Sequence, residues 1–223
     1  MLLQLKNIHK GYGVPGSHAF RPVLSELNWQ VEPGARVGIV GPSGSGKTTL
    51  LNLIGALDRP DSGEIIFEGK DISGYSNDEL ARFRNLKLGF VFQQHHLLPQ
   101  LTLWENVLLP LLPAGKTINR ENTNWAEHLI HKTGIWEQRK QKPSQLSGGE
   151  CQRTAVVRAM INKPSLILAD EPTGALDEEN ANIIADMLIT LSKDEVITLV
   201  TVTHSPELAK KMDKVYFLRN GRL

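Results

Sequence analysis

The sequence is poor in cysteine and has no excess of either charge. Its 223 residues include one cysteine, Cys151, so no internal disulfide can form. Lysine and arginine number 25 against 24 aspartates and glutamates, a formal net charge of +1. That balance supplies neither an overall basic field for nucleic acid nor an acidic solvating tail. No apolar run approaches the roughly 20 residues that a membrane-spanning helix needs. The richest, at 107–112, is interrupted by Pro110 and closed by Pro113. Work at a membrane would therefore go through a partner. Four of the first five residues are apolar, but no basic lead precedes them and Lys6, His9 and Lys10 follow at once. They read as a strand and not as a secretion signal. Internal repeats and low-complexity tracts are also missing.

What is present fits one folded unit. The length supports a single core, or one core with a small appended lobe, and the 40% hydrophobic content is ordinary for a soluble globular domain. Strand-like runs at 2–8 and 23–31 flank a polar loop rich in glycine and proline. Short apolar runs at 35–40, 88–92, 166–169, 196–202 and 214–218 read as strands, with a further strand at 64–68. Helical patterns fall at 49–57, 77–86, 148–161 and 178–191. Strands alternating with helices predict a parallel sheet covered on both faces. From Gln93 the pattern is mostly helical with proline breaks, an inserted helical lobe at about 93–163 of a single domain spanning 1–223.

The run Gly41, Pro42, Ser43, Gly44, Ser45, Gly46, Lys47, Thr48 fits G-x-x-x-x-G-K-[ST] between a predicted strand and a predicted helix, with Thr49 next. Glycines let the backbone turn tightly, so that its N–H groups converge on phosphate oxygens, and the helix start adds its positive dipole end. Lys47 would neutralise the β- and γ-phosphates, and the Thr48 hydroxyl would sit on Mg²⁺. At the end of the apolar strand 166–169 stand Asp170 and Glu171. Two carboxylates there need a reason, because burying them unpaired is costly. Beside a phosphate loop, Asp170 would hold Mg²⁺ through water and Glu171 would act as general base on the attacking water.

Leu146, Ser147, Gly148, Gly149 and Glu150, followed by Gln152 and Arg153, resemble the ABC signature motif and open a predicted helix. With the phosphate loop and the acidic pair, the whole chain resembles the ABC ATPase family. That resemblance implies an α/β fold: a RecA-like P-loop NTPase core with an antiparallel β edge and an inserted helical lobe. It implies an ATPase that uses ATP and Mg²⁺, and a head-to-tail homodimer. ATP would lie between the phosphate loop of one copy and Ser147, Gly148, Gly149 and Glu150 of the other. It implies Tyr12 as the aromatic that stacks on adenine. Gln93 would reach Mg²⁺ and the attacking water, with Gln94 as the neighbouring alternative. Residues 175–177 would face the partner copy, and His204 would contact the γ-phosphate.

The segment 97–111 and the run 168–174 are similar to the bacterial branch that holds lipoprotein-releasing, MacB-type and FtsE-type ATPases, nearest the lipoprotein-releasing kind. This branch implies integral membrane permease partners, a peripheral place on the cytoplasmic face of the membrane, and no nucleic acid. The apolar residues of 97–103 would line a groove for a helix of that partner. The alternatives are a non-transport ABC ATPase acting on nucleic acid or ribosomes, or an ATP-dependent regulatory module of the FtsE type. Non-transport members usually carry long coiled coils, zinc modules or a second ATPase domain, and none is visible here. Cys151 stands where the family usually has a polar or basic residue. Its position near a helix N-terminus predicts an acidic, reactive thiol. His95 and His96 have no third ligand at a recognisable spacing and read as surface polar residues. Trp104, Trp125 and Trp136 read as core.

Overall fold

The computed structural model describes residues 1–14, 19–113 and 118–223. Residues 15–18 of the polar loop and 114–117 of the expected lobe lie outside the described residues. In chain order the elements begin with β1 (Leu3–Tyr12), β2 (Arg21–Val31), β3 (Arg36–Val40), α1 (Lys47–Ile54), β4 (Ser62–Phe67) and β5 (Lys70–Asp71). They continue with α2 (Asn77–Lys87), β6 (Leu88–Phe92), α3 (Leu103–Leu108), α4 (Arg120–Lys132), α5 (Gly148–Met160) and β7 (Leu166–Asp170). The last are α6 (Glu178–Asp194), β8 (Thr198–Val202), α7 (Pro206–Lys210) and β9 (Lys214–Phe217).

Two sheets result. Five strands in the order β6-β7-β8-β3-β9 are parallel. Four strands in the order β2-β1-β4-β5 are antiparallel, so the antiparallel part is a sheet of its own. The central strands β7 and β8 are buried along almost their whole length because both of their faces are covered, whereas the edge strand β9 is largely exposed. Leu166 and Leu168 of β7 enter a core cluster with Leu3, Leu50, Ile54 and Phe67. Ile167 and Ala169, on the other face of the same strand, enter a second cluster with Leu103, Val107, Leu129 and Val156. One strand is thus shared by the layer holding α1 and the antiparallel sheet and by the layer holding α3, α4 and α5.

Three boundaries depart from the sequence reading for identifiable reasons. β1 runs on to Tyr12, because register shifts between Leu5, Ile8 and Lys10 break the alternation that a strand pattern depends on, and Asn7 takes φ 49° there. α1 stops at Ile54, although the apolar run continues, and Leu57 is left half exposed. The strand expected from 196 begins at Thr198, because Val196 belongs to the end of α6. There the Ile197 N–H donates to the Ser192 carbonyl at 2.9 Å and the Val196 N–H to the Lys193 carbonyl at 3.2 Å, which is a Schellman cap. β5 and α7 have no counterpart in the sequence reading, although Ser205-Pro206 is a helix-start signal.

The three tryptophans are partly buried at the margin of the second cluster and not within it. Leu97 and Leu103 are core residues, Leu101 is partly buried, and Leu98 is 43% exposed. The segment they belong to is pinned from inside by Asn106. Its amide oxygen accepts from the Leu98 N–H at 2.8 Å, and its amide nitrogen donates to the carbonyls of Leu98, Leu101 and Thr102.

Candidate functional site

Four of the expected segments leave the carboxyl ends of four neighbouring strands. Gln93 follows β6, Asp170 and Glu171 end and follow β7, His204 lies just past β8, and the phosphate loop follows β3. Phe92 stands opposite Asp170, Asp170 opposite Val202, and Val202 opposite Ile39, so the four ends are level. The carboxyl edge of an open parallel sheet is where such folds place ligands.

In the phosphate loop Gly46 takes φ 100° as the residue before α1, and a Cβ there would lie 2.9 Å from Val23 Cγ1. Only glycine meets both conditions. Lys47 is almost wholly buried, and its Nζ donates to the carbonyls of Gly41 at 2.9 Å and Pro42 at 3.0 Å. Ser45 Oγ is buried without a partner, whereas Pro42, Ser43 and Gly44 face solvent. The Thr48 hydroxyl donates to Asp170 Oδ2 at 3.4 Å. Burial raises the Asp170 carboxyl above its ordinary pKa, against the opposing pull of that hydrogen bond and of the Lys47 charge.

Glu171 has φ 47°, a left-handed conformation uncommon for this residue type. Its N–H donates to the Val202 carbonyl at 3.0 Å, which ties the turn to β8. The carboxylate Oε2 accepts from the His204 N–H at 3.0 Å. The other oxygen, Oε1, is buried with no hydrogen-bond donor; His204 Nε2 lies 3.4 Å away without hydrogen-bond geometry. A carboxylate held by one oxygen and free at the other is equipped to accept a proton. Gln93 lies beside the same turn, since a Cβ added to Gly174 would be 3.1 Å from Gln93 Nε2. Gln94 is exposed next to it.

Tyr12 is 45% exposed at the end of β1. Its hydroxyl donates to Asp58 Oδ2 at 3.0 Å, and Lys10 Nζ lies 5.2 Å from the ring centroid while donating to Asp58 Oδ1 at 2.8 Å. Lys10 and Asp58 were missed in the sequence because they are far apart along the chain, with no motif joining them. Burial works against both charges, yet their mutual hydrogen bond leaves the lysine pKa raised and the aspartate pKa lowered.

Ser147 caps α5: its Oγ accepts from the Glu150 N–H at 3.2 Å, and Glu150 Oε2 accepts from the Ser147 N–H at 2.7 Å. The Ser147 N–H holds the Glu150 carboxyl below its ordinary pKa. Gly148 and Gly149 open the helix beside α6. A Cβ on Gly149 would lie 2.3 Å from Asn180 Oδ1, so the helix start and α6 approach closely there.

Cys151 contradicts its expectation. The thiol is 3% exposed and points at the Pro143 carbonyl, 3.7 Å away, and burial first, then the Glu150 charge, pushes its pKa up. A helix start lowers a thiol pKa only where the sulfur faces the free N–H groups. His95 is not a plain surface residue either. It is half buried, its Nδ1 accepts from the Leu97 N–H at 3.2 Å, and burial, then Arg158 and His96, lower its pKa.

The family model described as ABC transporter matches residues 24–174. An uncharacterized ABC transporter ATP-binding protein, YknY of Bacillus subtilis (strain 168), is 44% identical over 222 residues, covering 100% of this chain and 95% of that protein. The lipoprotein-releasing system ATP-binding protein LolD of Syntrophus aciditrophicus (strain SB) is 42% identical over 222 residues, covering 100% of this chain and 98% of that protein. Among solved structures, the ATP-binding cassette MJ0796, a dimer in a post-hydrolysis state bound to ADP and Pi, matches with a TM-score of 0.89. It is 38% identical, with 100% of this chain and 96% of that one covered.

Proposed function

This chain belongs to the ABC transporter family as an ATP-binding subunit, and on that basis we propose that it couples ATP hydrolysis to an integral membrane partner, in the manner of the LolD-like branch that serves lipoprotein release or export. The observation that carries the hydrolytic reading is the Glu171 carboxylate, anchored through Oε2 and free at a buried Oε1. Glu171 takes a proton from a water as that water attacks the γ-phosphorus; the bond to the β-phosphate oxygen breaks, releasing ADP and phosphate. His204 and Gln93 orient the γ-phosphate and the water. Lys47 and the loop of 41–49, through the N–H groups of its residues other than Pro42, hold the phosphates, and Tyr12 stacks on adenine.

The oxygen donors Thr48 and Asp170 fit a hard cation such as Mg²⁺, as does the carboxamide of Gln93. When bound, Mg²⁺ would neutralise developing phosphate charge. Support for a homodimer closed on two ATP molecules comes from the dimeric relative and from the capped N-terminus of α5, where Ser147, Gly148, Gly149 and Glu150 would meet the partner copy's nucleotide. We read 1–223 as one nucleotide-binding domain with its helical lobe at 93–163.

No helix among the described residues is long and apolar enough to cross a membrane, so association with the cytoplasmic face would be peripheral. The near-neutral charge supplies no overall field for nucleic acid. A groove of about 440 Å³, lined by Leu57, Phe90, Phe92, Pro110, Pro113 and Arg158, is the seat we assign to the permease helix, in place of 97–103.

Glu171→Gln tests the reading. It should cut ATP turnover by roughly a hundredfold or more while ATP binding persists; a mild effect means a different base. The same variant with ATP and Mg²⁺, used as bait in detergent-solubilised membranes, should retain an integral membrane protein. Recovery of soluble ribosomal or DNA-repair proteins alone would replace the transport reading.

A further inference from the structure

α5 starts at the signature turn and passes the loops that carry Gln93 and Glu171. One of its side chains reaches both. Gln152 is 2% exposed, and its Nε2 donates to the Phe92 carbonyl at 2.9 Å and to the Pro172 carbonyl at 2.8 Å. Phe92 immediately precedes Gln93, and Pro172 immediately follows Glu171. Arg158, farther along the helix, donates to the carbonyls of His95 and His96, each at 2.7 Å, so the segment leaving β6 is held to α5 on both sides of Gln93. The other flank of the helix start is fixed by the close approach of Gly149 to Asn180, whose amide donates to Asp177 Oδ2 at 2.8 Å. The first turns of α5 therefore cannot shift without carrying the two catalytic loops along or leaving buried carbonyls without donors.

We propose that Gln152 is a positioning residue that couples the signature turn, which serves the partner copy's ATP, to Gln93 and Glu171, which serve the chain's own. The proposal rests on the head-to-tail dimer read above. It makes each site sensitive to nucleotide in the other through one amide group.

Mixed dimers of differently tagged chains test it, with single-turnover ATP cleavage followed by rapid quench. Glu171→Gln on one chain silences the site built on that chain's phosphate loop and leaves one competent site. With Gln152→Met on the chain whose Glu171 is intact, cleavage should slow by about tenfold or more, as expected when a catalytic group is displaced by an ångström or less. With Gln152→Met on the Glu171→Gln chain, the competent site takes only its signature from the altered chain. Its rate should then match that of the dimer without Gln152→Met. Equal slowing in both arrangements, slowing in the second alone, or slowing in neither would each overturn the proposal.

If Gln152→Met does not fold, Gln152→Glu keeps the shape and can donate only when protonated. Relative to the unaltered dimer, its rate should then rise as pH falls in the first arrangement and stay flat in the second; any other pattern refutes the role. A control reads the dimer itself. Gly149→Asp and Glu171→Gln on opposite chains should leave one site working, and on the same chain none. If that control fails, the head-to-tail reading fails, and the proposal with it, whatever Gln152 does.

Discussion

Two side chains show how local surroundings overrule residue type. Cys151 sits in the first turn of a helix, yet its sulfur is enclosed and its pKa is raised. Maleimide should therefore label the native protein far more slowly than the urea-unfolded chain, and ATPase activity should be unchanged after exposure. Rapid native labelling would show the first turn of α5 opening. Glu68 gives a titrating case. Burial disfavours its charge, but Lys87 Nζ at 2.7 Å and Ser165 Oγ at 2.8 Å outweigh that and leave its pKa lowered. A carboxylate with a folded pKa below its unfolded one stabilises above the unfolded value and loses that stabilisation as pH falls through the folded value. The melting-temperature gap between wild type and Glu68→Gln should thus be present at neutral pH and vanish in acid. The gap should be small, since partly exposed pairs contribute about 1 kcal/mol or less.

At the scale of elements, α6 ends on Val196 in a conformation that suits glycine. The residue occupies the left-handed position of a Schellman cap with φ 54°, and its side chain is 77% exposed, so little packing offsets the strain. Val196→Gly should stabilise the fold by about 1 kcal/mol, raising Tm by about 2–4 °C in calorimetry; an unchanged or lower Tm would show that the side chain packs in solution. That residue also marks where the sequence misleads. A β-branched residue followed by isoleucine reads as the start of a strand, and only the cap hydrogen bonds show that the chain is still leaving a helix. The opposite holds for the phosphate loop, the acidic pair and the box of Ser147 and Glu150. Each lies in one contiguous stretch of chain and so could be singled out, the phosphate loop by its own motif, the acidic pair beside it, and Ser147 with Glu150 through the family resemblance; the left-handed Glu171 and the reciprocal cap could not be foreseen. Lys10 against Asp58 and Gln152 against Phe92 and Pro172 were not, because those contacts exist only once distant strands are aligned.

For the whole molecule, the site and the proposed permease groove are separated in function but joined by β6, which ends just before Gln93 and lines the groove with Phe90 and Phe92. Leu57 is half exposed on that groove, whose lining includes none of the assigned catalytic groups. Leu57→Glu should leave the basal ATPase rate intact, abolish its stimulation by the reconstituted membrane partner, and reduce co-purification. Unaltered stimulation would move the docking surface elsewhere.

The strand that ends in Asp170 has a packed core against each face, one of them shared with α1 and the other with the helices of 103–160. Its backbone amides are therefore reachable by solvent only when the molecule opens as a whole. In deuterium exchange the interior of β7 should exchange only through global unfolding, so ATP should slow it by the stabilisation that binding gives the whole fold and by no more. Protection that ATP adds beyond that common amount would then belong to the rim of loops above β7, with the sheet that carries them as the yardstick.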